Sequence, residues 1–464
     1  MTMHTAGRIL VALIAWGALS FGAVYPWGYW PLAIGCAAIG GWAMVITRAW
    51  REPRPRLVAI ALGLIAAALL IQVIPFPRAV VGWLSPAAEP LHGQLQVGWG
   101  LRPPASLSLS IAPEGTATAL LLFLAFGALL VGLMRAMSYL PREWLVSQLA
   151  IFGLVMALFG IIQRVVSGPG DIPVYGFWRP EAGYATPFGP FINRNHFAGW
   201  MLLVLPLAVA YASAQVQQAR GPFLTDWRSW FRWLATPDAS RFLFLAIAIL
   251  IMAIALVLTG SRSGLGSFIV ATAVLAYFAA RRAHGRTRRV LPAFYLVLLV
   301  IAAVGWVGVD FTVARFEHAS AELGERATAW RDTWSIFRDF PVTGLGFGGY
   351  GQAMLVYQTA ERHSIYLQAH NEYLQILAEG GVLVALPVLL TVVILAINIR
   401  HRLRGHDDAQ TYWLRAGAVA GLAGIATQSL LDFSLQMPGN AMMCAVVLAL
   451  ALHRPASVSH AHRV

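Results

Sequence analysis

The stretch from residue 242 to residue 280 decides the fold class. It reads FLFLAIAILIMAIALVLTGSRSGLGSFIVATAVLAYFAA. Its two apolar segments, 242–259 and 264–280, each reach the length of about 17 to 25 residues that a helix needs to cross a bilayer. The turn between them is too short to hold an extramembrane domain. The stretch therefore predicts a pair of transmembrane helices joined by a tight polar turn.

The same pattern recurs along the whole chain of 464 residues. Hydrophobic residues make up 58% and charged residues 11%, whereas a soluble domain carries about 25% charged residues. The fold class is thus predicted as an all-α polytopic membrane protein, a single membrane domain over 1–464 with about 12 transmembrane helices. The predicted spans are 8–25, 28–47, 57–75, 117–134, 147–165, 197–214, 242–259, 264–280, 290–309, 373–397, 413–431 and 437–453.

The net charge of +13 reflects topology. All 33 basic residues are arginine, and about 22 of them fall on one side of the alternating spans against about 6 acids. The other side has about 11 arginines and about 14 acids. The positive-inside rule then places both termini in the cytoplasm, with the first span retained as a helix and not cleaved as a signal peptide. This explanation requires no nucleic-acid partner.

The longest segment predicted outside the membrane is 310–372, between spans 9 and 10. Its residues Leu323, Ala327, Trp330, Trp334 and Phe337 have helical spacing, which predicts an amphipathic helix that lies on the membrane or caps the bundle. Arg326 has two interpretations, an ion pair with Glu322 one turn earlier or contact with a ligand. The sequence therefore predicts a large helical periplasmic loop.

Two arginines on the outer side are candidates for binding phosphate. Arg194 lies in Asn193-Arg194-Asn195-His196, where the sixth span begins, and helix N-termini attract anions. The alternative is an Asn193 helix cap beside an interfacial arginine. Arg262 lies in the turn at 259–264, at or just inside the membrane boundary, where an ionisable residue is a site hypothesis by default. Its alternative is a marker of the lipid headgroups.

His370 precedes the tenth span in the segment Gln368-Ala369-His370-Asn371-Glu372. Histidine is suited to act as a general base near neutral pH, and Asn371 is expected to cap the following helix. A structural histidine is the alternative. The glycine-rich stretch 341–350 matches a dinucleotide-binding pattern, but without a strand around it a hinge or a close-packed turn is the better interpretation. No cluster has metal-ligand spacing, so neither a metal nor a cofactor is predicted.

These candidates suit one reaction. Two arginines could hold the diphosphate that leaves a lipid-linked sugar, and a histidine could take the proton of the incoming hydroxyl. A single displacement of this kind inverts the anomeric carbon. A lipid-linked donor is expected because nucleotide sugars are absent outside the cytoplasmic membrane.

The chain resembles the bacterial O-antigen ligase and Wzy-type polysaccharide polymerase superfamily over about residues 185–445. The similar motifs are 193–197, 261–264, 326–330 with 344–346, 370–375 and the late turn 432–434 with 438–441. Each motif is weak alone, but their order, spacing and shared side make the set fairly specific. The first 180 residues resemble the family only in hydropathy.

The resemblance implies an inverting, metal-independent glycosyltransferase that uses an undecaprenyl-diphosphate-linked glycan on the periplasmic face. His370 matches the base proposed in the family, and Arg194 and Arg262 match arginines thought to bind the donor diphosphate. The supporting residues are Asn193, Arg326, Asn371 and Asp432.

The acceptor stays open: another glycan, lipid A-core or a protein hydroxyl. Besides membrane lipids, a polysaccharide export machinery is a conceivable partner. A transporter or flippase of lipid-linked sugars is the alternative function, and a non-catalytic scaffold for such machinery is a third. A transporter would favour polar residues near the bilayer midplane, but here they gather at one face.

Overall fold

The computed structural model describes residues 2–101, 104–167, 173–179, 186–218, 237–282, 319–359, 365–405 and 408–454, with Leu296 and Val300. Fifteen helices of four or more residues lie within these ranges. The first seven are α1 (Met3–Leu19), α2 (Pro26–Thr47), α3 (Pro53–Val73), α4 (Arg78–Leu84), α5 (Ala88–Leu95), α6 (Pro113–Ala136) and α7 (Arg142–Ser167). The others are α8 (Arg194–Gln218), α9 (Pro237–Leu258), α10 (Arg262–Arg282), α11 (Ala319–Asp339), α12 (Tyr350–Tyr357), α13 (Glu372–Leu403), α14 (Ala409–Gln428) and α15 (Pro438–Leu452). A two-stranded antiparallel sheet joins β1 (Pro75–Pro77) to β2 (Ser106–Ser108).

The predicted all-α membrane fold is confirmed, whereas the count of about 12 spans is not. In the described part of the chain, eight helices are long and apolar enough to cross a membrane: α2, α3, α6, α7, α8, α9, α10 and α13. Helices α1 and α15 are apolar but shorter, and the predicted span 290–309 lies almost wholly outside the described residues. The first span ends sooner than predicted, because Phe21, Gly22 and Ala23 all have positive φ and turn the chain into α2.

Helix α8 is the centre of the bundle. Of its most apolar 18-residue window, 89% is buried, whereas the other candidate spans are half-buried or less. Helix α14 packs closely along it: a Cβ on Gly417 would lie 2.6 Å from the Ala210 Cβ, and one on Gly421 would lie 3.0 Å from the Leu202 carbonyl oxygen. Small residues allow this close approach between helices. The tight packing fixes where the N-terminal end of α8 lies.

The loops predicted on one side of the membrane meet at one end of the bundle, which we call the arginine-rich end. It contains the end of α13, the start of α14 and the end of α15, linked through Arg142, Arg402 and Arg415. Arg142 donates to Thr411 (3.3 Å), and Arg402 donates to the Leu452 carbonyl (3.1 Å). Helices α8, α10 and α13 begin at the opposite end. The two predicted sets of loops are therefore separated in space.

An outer layer covers the opposite end. The β1–β2 sheet, with α4 and α5 in the connection between its strands, packs against α11 and α12. The apolar cluster between them includes Val81, Leu109, Phe340 and Met354. The segment 75–111, to which the sequence assigned no role, therefore forms one body with the large loop.

The helix predicted in the large loop is present as α11. Ala329, Thr333 and Ile336 are buried within the protein, whereas Trp334 of the predicted apolar stripe is 47% exposed. Thr333 shares a hydrogen bond with the Tyr350 hydroxyl (2.8 Å). The protein therefore buries a face that the apolar pattern did not mark, and contact of the stripe with the membrane stays a prediction.

The glycine-rich stretch forms a close-packed turn against α13, as one of its two interpretations predicted. The Glu379 carboxylate accepts hydrogen bonds from the backbone of Gly348 (2.9 Å) and Tyr350 (3.2 Å). Helix α13 is kinked at Gly381, whose φ is 55°. A Cβ on Gly344, which has φ 65°, would lie 2.2 Å from the Glu379 carbonyl oxygen. No other residue type fits Gly344 without moving this backbone.

Substituting Gly344 tests this packing. We expect Gly344→Ala to lower the melting temperature of the detergent-solubilised protein by about 5 °C or more, because the clash adds to the strain of a positive φ. Gly266→Ala is the matched control, since Gly266 lies in α10 with open space around its Cα. Equal melting temperatures for the two variants would contradict this account.

Candidate active site

The N-terminus of α8 carries the first predicted arginine. The Asn193 side chain accepts from the Asn195 backbone N–H (2.8 Å), and the Arg194 N–H donates to the Thr186 carbonyl (2.7 Å). The interpretation of Asn193 as a cap therefore agrees with the structure. Arg194 is the first residue of α8 and is half-buried. Its guanidinium adds to the positive end of the helix dipole.

Arg262 lies at the start of a neighbouring helix. The turn before α10 is held by Ser261, whose hydroxyl accepts from the Gly264 N–H (3.1 Å). A Cβ on Gly264 would lie 2.7 Å from the Ala198 Cβ in the first turns of α8. Helices α8 and α10 therefore begin side by side, each with an arginine as its first residue. This arrangement concentrates positive charge and backbone N–H groups at one place.

Asp432 lies beside the α8 N-terminus, in the turn between α14 and α15. Its carboxylate is fully buried and accepts from the Asn195 side chain (2.5 Å) and the Phe433 N–H (2.9 Å). Burial raises the pKa of Asp432 to about 6, although Arg326 and Arg194 oppose the shift. Asp432 therefore provides, within the turn between α14 and α15, a negative charge close to Arg326 and Arg194.

Arg326 reaches this turn from α11. Its Nη1 donates to the Leu431 carbonyl (2.6 Å), and its Nη2 lies 4.0 Å from Asp432 Oδ2. The side chain of Glu322, its predicted ion-pair partner, lies outside the described residues. Arg326 thus connects the outer layer to the bundle.

His370 is placed by its neighbours in the chain. It has a positive φ of 49°, and Ala369 before it is held on both sides. The Ala369 N–H donates to Gln375 Oε1 (2.9 Å), and Trp330 Nε1 donates to the Ala369 carbonyl (3.0 Å). Asn371 caps α13 by accepting from the Leu374 N–H (3.1 Å), as predicted. The imidazole is therefore presented from an anchored segment.

Phe433 lies between two imidazoles. Its ring centroid is 4.9 Å from that of His370 and 4.8 Å from that of His196, both edge-on. Within the described ranges, neither His370 Nδ1 nor His196 Nε2 has a hydrogen-bond partner. Burial and then the nearby Arg326 lower the pKa of His370 to about 4. The ring is therefore neutral at physiological pH and can accept a proton.

His196 is the residue that the sequence analysis missed. His196 belongs to the α8 motif but was not predicted as a site residue. Its side chain is 6% exposed, and its Nε2 lies 3.9 Å from Asp432 Oδ1. An ionisable side chain inside an otherwise apolar span is the signal that could have found it.

The two acids close to His370 in sequence have structural partners. Glu372 accepts from the Leu435 N–H (3.0 Å) and from the Gln436 side chain (3.3 Å), which holds the short helix after Asp432. Glu379 binds the glycine-rich turn instead. The structure therefore brings together Asn193, Arg194, Arg326, His370, Asn371 and Asp432 through the contacts above, with Arg262 at the adjoining helix start. No group of three or more His, Cys, Asp or Glu residues that could hold a metal ion occurs in the described part.

The comparisons with known proteins bear on this arrangement. The family model described as O-antigen ligase matches residues 247–389, which include Arg262, Arg326 and His370 but neither Arg194 nor Asp432. The search of curated proteins gave no match to this chain. The family match supports a role as a membrane ligase or polymerase. It confirms the resemblance to the O-antigen ligase family that the sequence motifs indicate.

Proposed function

We propose that the protein is a membrane glycosyltransferase that moves a glycan from an undecaprenyl-diphosphate donor to an acceptor hydroxyl on the periplasmic face. The observation that supports it best is the meeting of two kinds of group at one end of the bundle. Arginines at two adjacent helix starts offer charge for a diphosphate, and a neutral, buried imidazole offers a base. These are the two demands of glycosyl transfer from a lipid diphosphate.

The donor side of the reaction needs the leaving charge to be stabilised. As the bond from the anomeric carbon to the diphosphate oxygen breaks, the electron pair goes to the diphosphate. Arg194 and Arg262 stabilise that charge together with the free N–H groups of the two helix starts. Fixed guanidinium groups can do so without a metal.

The acceptor side needs a base on the opposite face of the sugar. The acceptor oxygen bonds to the anomeric carbon and its proton passes to His370, so one displacement inverts the configuration. Burial, and then the nearby Arg326, lower the pKa of His370 and keep it neutral before the reaction. Asn371 and Asp432 hold the elements that carry these groups, and Asn193 caps the helix that begins with Arg194.

The proposal also includes the side of the membrane on which the site lies and the kinds of acceptor it could use. We propose that the site end faces outward from a bacterial inner membrane and that both termini are cytoplasmic, because the positive-inside rule favours the arginine-rich end in the cytoplasm. A second glycan, lipid A-core or a protein hydroxyl would each fit the same base. A flippase is less favoured, because the buried charged residues of the described part lie at helix ends or in the outer layer and not along the middle of the spans.

Removing the base or one donor arginine tests the proposal. We expect His370→Ala and Arg262→Ala each to lower transfer from a lipid-diphosphate glycan by at least ~100-fold in vitro. His4→Ala and Arg331→Ala are the matched controls, because both residues are exposed and lie away from the site. Full transfer by either site variant, in protein that inserts normally, would overturn the assignment.

The role of Arg326 gives a pH dependence with a definite sign. A folded-state pKa of about 4 keeps His370 neutral down to mildly acidic pH, so wild-type kcat/KM falls only as pH drops toward about 4. Arg326→Gln removes a nearby cation, so the pKa of His370 rises toward its ordinary value of about 6.5 and the acid limb moves to higher pH. The pKa of Asp432 moves in the same direction.

The measurement is kcat/KM from about pH 4 to about pH 8, with Arg331→Gln on the same helix as the control. The comparison uses the position of the acid limb, so a lower absolute rate does not affect it. Coincident acid limbs for wild type and Arg326→Gln would contradict the proposed effect.

A further inference from the structure

The arginine-rich end carries more positive charge than its acids offset. Around Arg402, near the end of α13, the arginines Arg54, Arg415 and Arg454 lie close enough to repel it electrostatically, and Glu52 attracts it. Glu52 is already paired, because its carboxylate lies 3.0 Å from Arg135 Nε. Asp408 at the same end accepts hydrogen bonds from Thr411. In the described residues, several like charges therefore converge with little compensation.

Two of these arginines have structural roles. Arg415 is 1% exposed and donates to three carbonyls, those of Ala451 (3.2 Å), Arg402 (3.0 Å) and His453 (3.0 Å). Arg402 donates to the Leu452 carbonyl. These bonds satisfy the C-terminal ends of α13 and α15. A carbonyl group is neutral, so its bond with Arg402 leaves the positive charge of that side chain in place.

Arg54 is the cation of this cluster that contacts an imidazole at the surface. Its Nη2 lies 3.2 Å from Nδ1 and 3.1 Å from Nε2 of His401, an exposed side chain on α13. Neither Arg54 nor Arg454 contacts a carboxylate in the described part of the chain. A guanidinium beside an imidazole offers several donors and no negative charge, which suits a phosphate group.

The cluster lies at the ends of helices that can cross a membrane, and this position favours a lipid as the ligand. Arg54 is the second residue of α3, and Arg402 is the next-to-last residue of α13, and both helices are long and apolar enough to cross a membrane. Trp50, three residues before α3, is 49% exposed, and tryptophan is typical of the membrane interface. The anions available at that depth are headgroup phosphates.

We propose that the surface formed by Arg54, His401, Arg402 and Arg454 binds the headgroup of an anionic phospholipid. The lipid phosphate would lie between the start of α3 and the end of α13, neutralise the convergent arginines and hold the two helix ends together. This site is at the far end of the bundle from the candidate active site and does not depend on the proposed activity.

Lipid-dependent melting of the full-length protein in detergent tests the site. We expect phosphatidylglycerol to raise the melting temperature and phosphatidylcholine to leave it unchanged. The double variant Arg54→Gln/Arg454→Gln should bind phosphatidylglycerol at least ~5-fold more weakly, since one arginine near a membrane surface contributes about 1 kcal/mol. Arg48→Gln/Arg56→Gln is the matched control, because both residues are exposed near the start of α3 and the two substitutions change the charge equally.

The outcomes separate the alternatives. Arg54→Lys keeps the charge and should retain binding, which guards against a double variant that merely folds poorly. A phosphatidylglycerol response that is equal in wild type and in the double variant would overturn the proposal. So would an equal response to phosphatidylcholine. An equal response to inorganic phosphate would also overturn it, by showing an anion site without lipid selectivity.

Discussion

The buried carboxylate of Asp432 is the constraint on which the arrangement of the site depends. An ionised carboxylate taken out of water costs several kcal/mol unless hydrogen bonds and charges offset it. Here the compensation comes from Asn195 on α8, the Phe433 backbone and Arg326 on α11. The same contacts therefore fix the late turn against the central helix and fix the outer layer against both.

The arginines at the two ends of the bundle occupy different positions relative to the helices. At the arginine-rich end they satisfy helix C-termini, as Arg415 does with three carbonyls. At the opposite end Arg194 and Arg262 begin helices, where the dipole has the same sign as the side chain. A cation at a helix N-terminus is unfavourable by itself, because the helix dipole repels it. The placement makes physical sense where an anion is bound between the two.

The sequence predicted the parts of this structure that depend on local patterns. Apolar length predicted the eight long apolar helices of the described part, and Asn371 was correctly expected to cap α13. The prediction failed where tertiary contacts decide. The sequence did not predict the hydrogen bond between Thr333 on α11 and Tyr350, nor the packing of Phe433 against His196. The turn that brings Phe433 there lies more than 200 residues later in the chain.

The position of His370 depends on a strained backbone that other elements hold in place. A non-glycine residue with φ near 49° is unfavourable by roughly 1 to 3 kcal/mol, so the segment would relax if it were free. Trp330 and Gln375 prevent this by bonding both sides of Ala369, and Gln375 also lies 3.4 Å from Glu379 Oε2. Glu379 in turn binds the glycine-rich turn. The glycine turn, the kink in α13 and the amphipathic α11 thus act together to hold one imidazole against Phe433, and these contacts link motifs that lie far apart in the sequence.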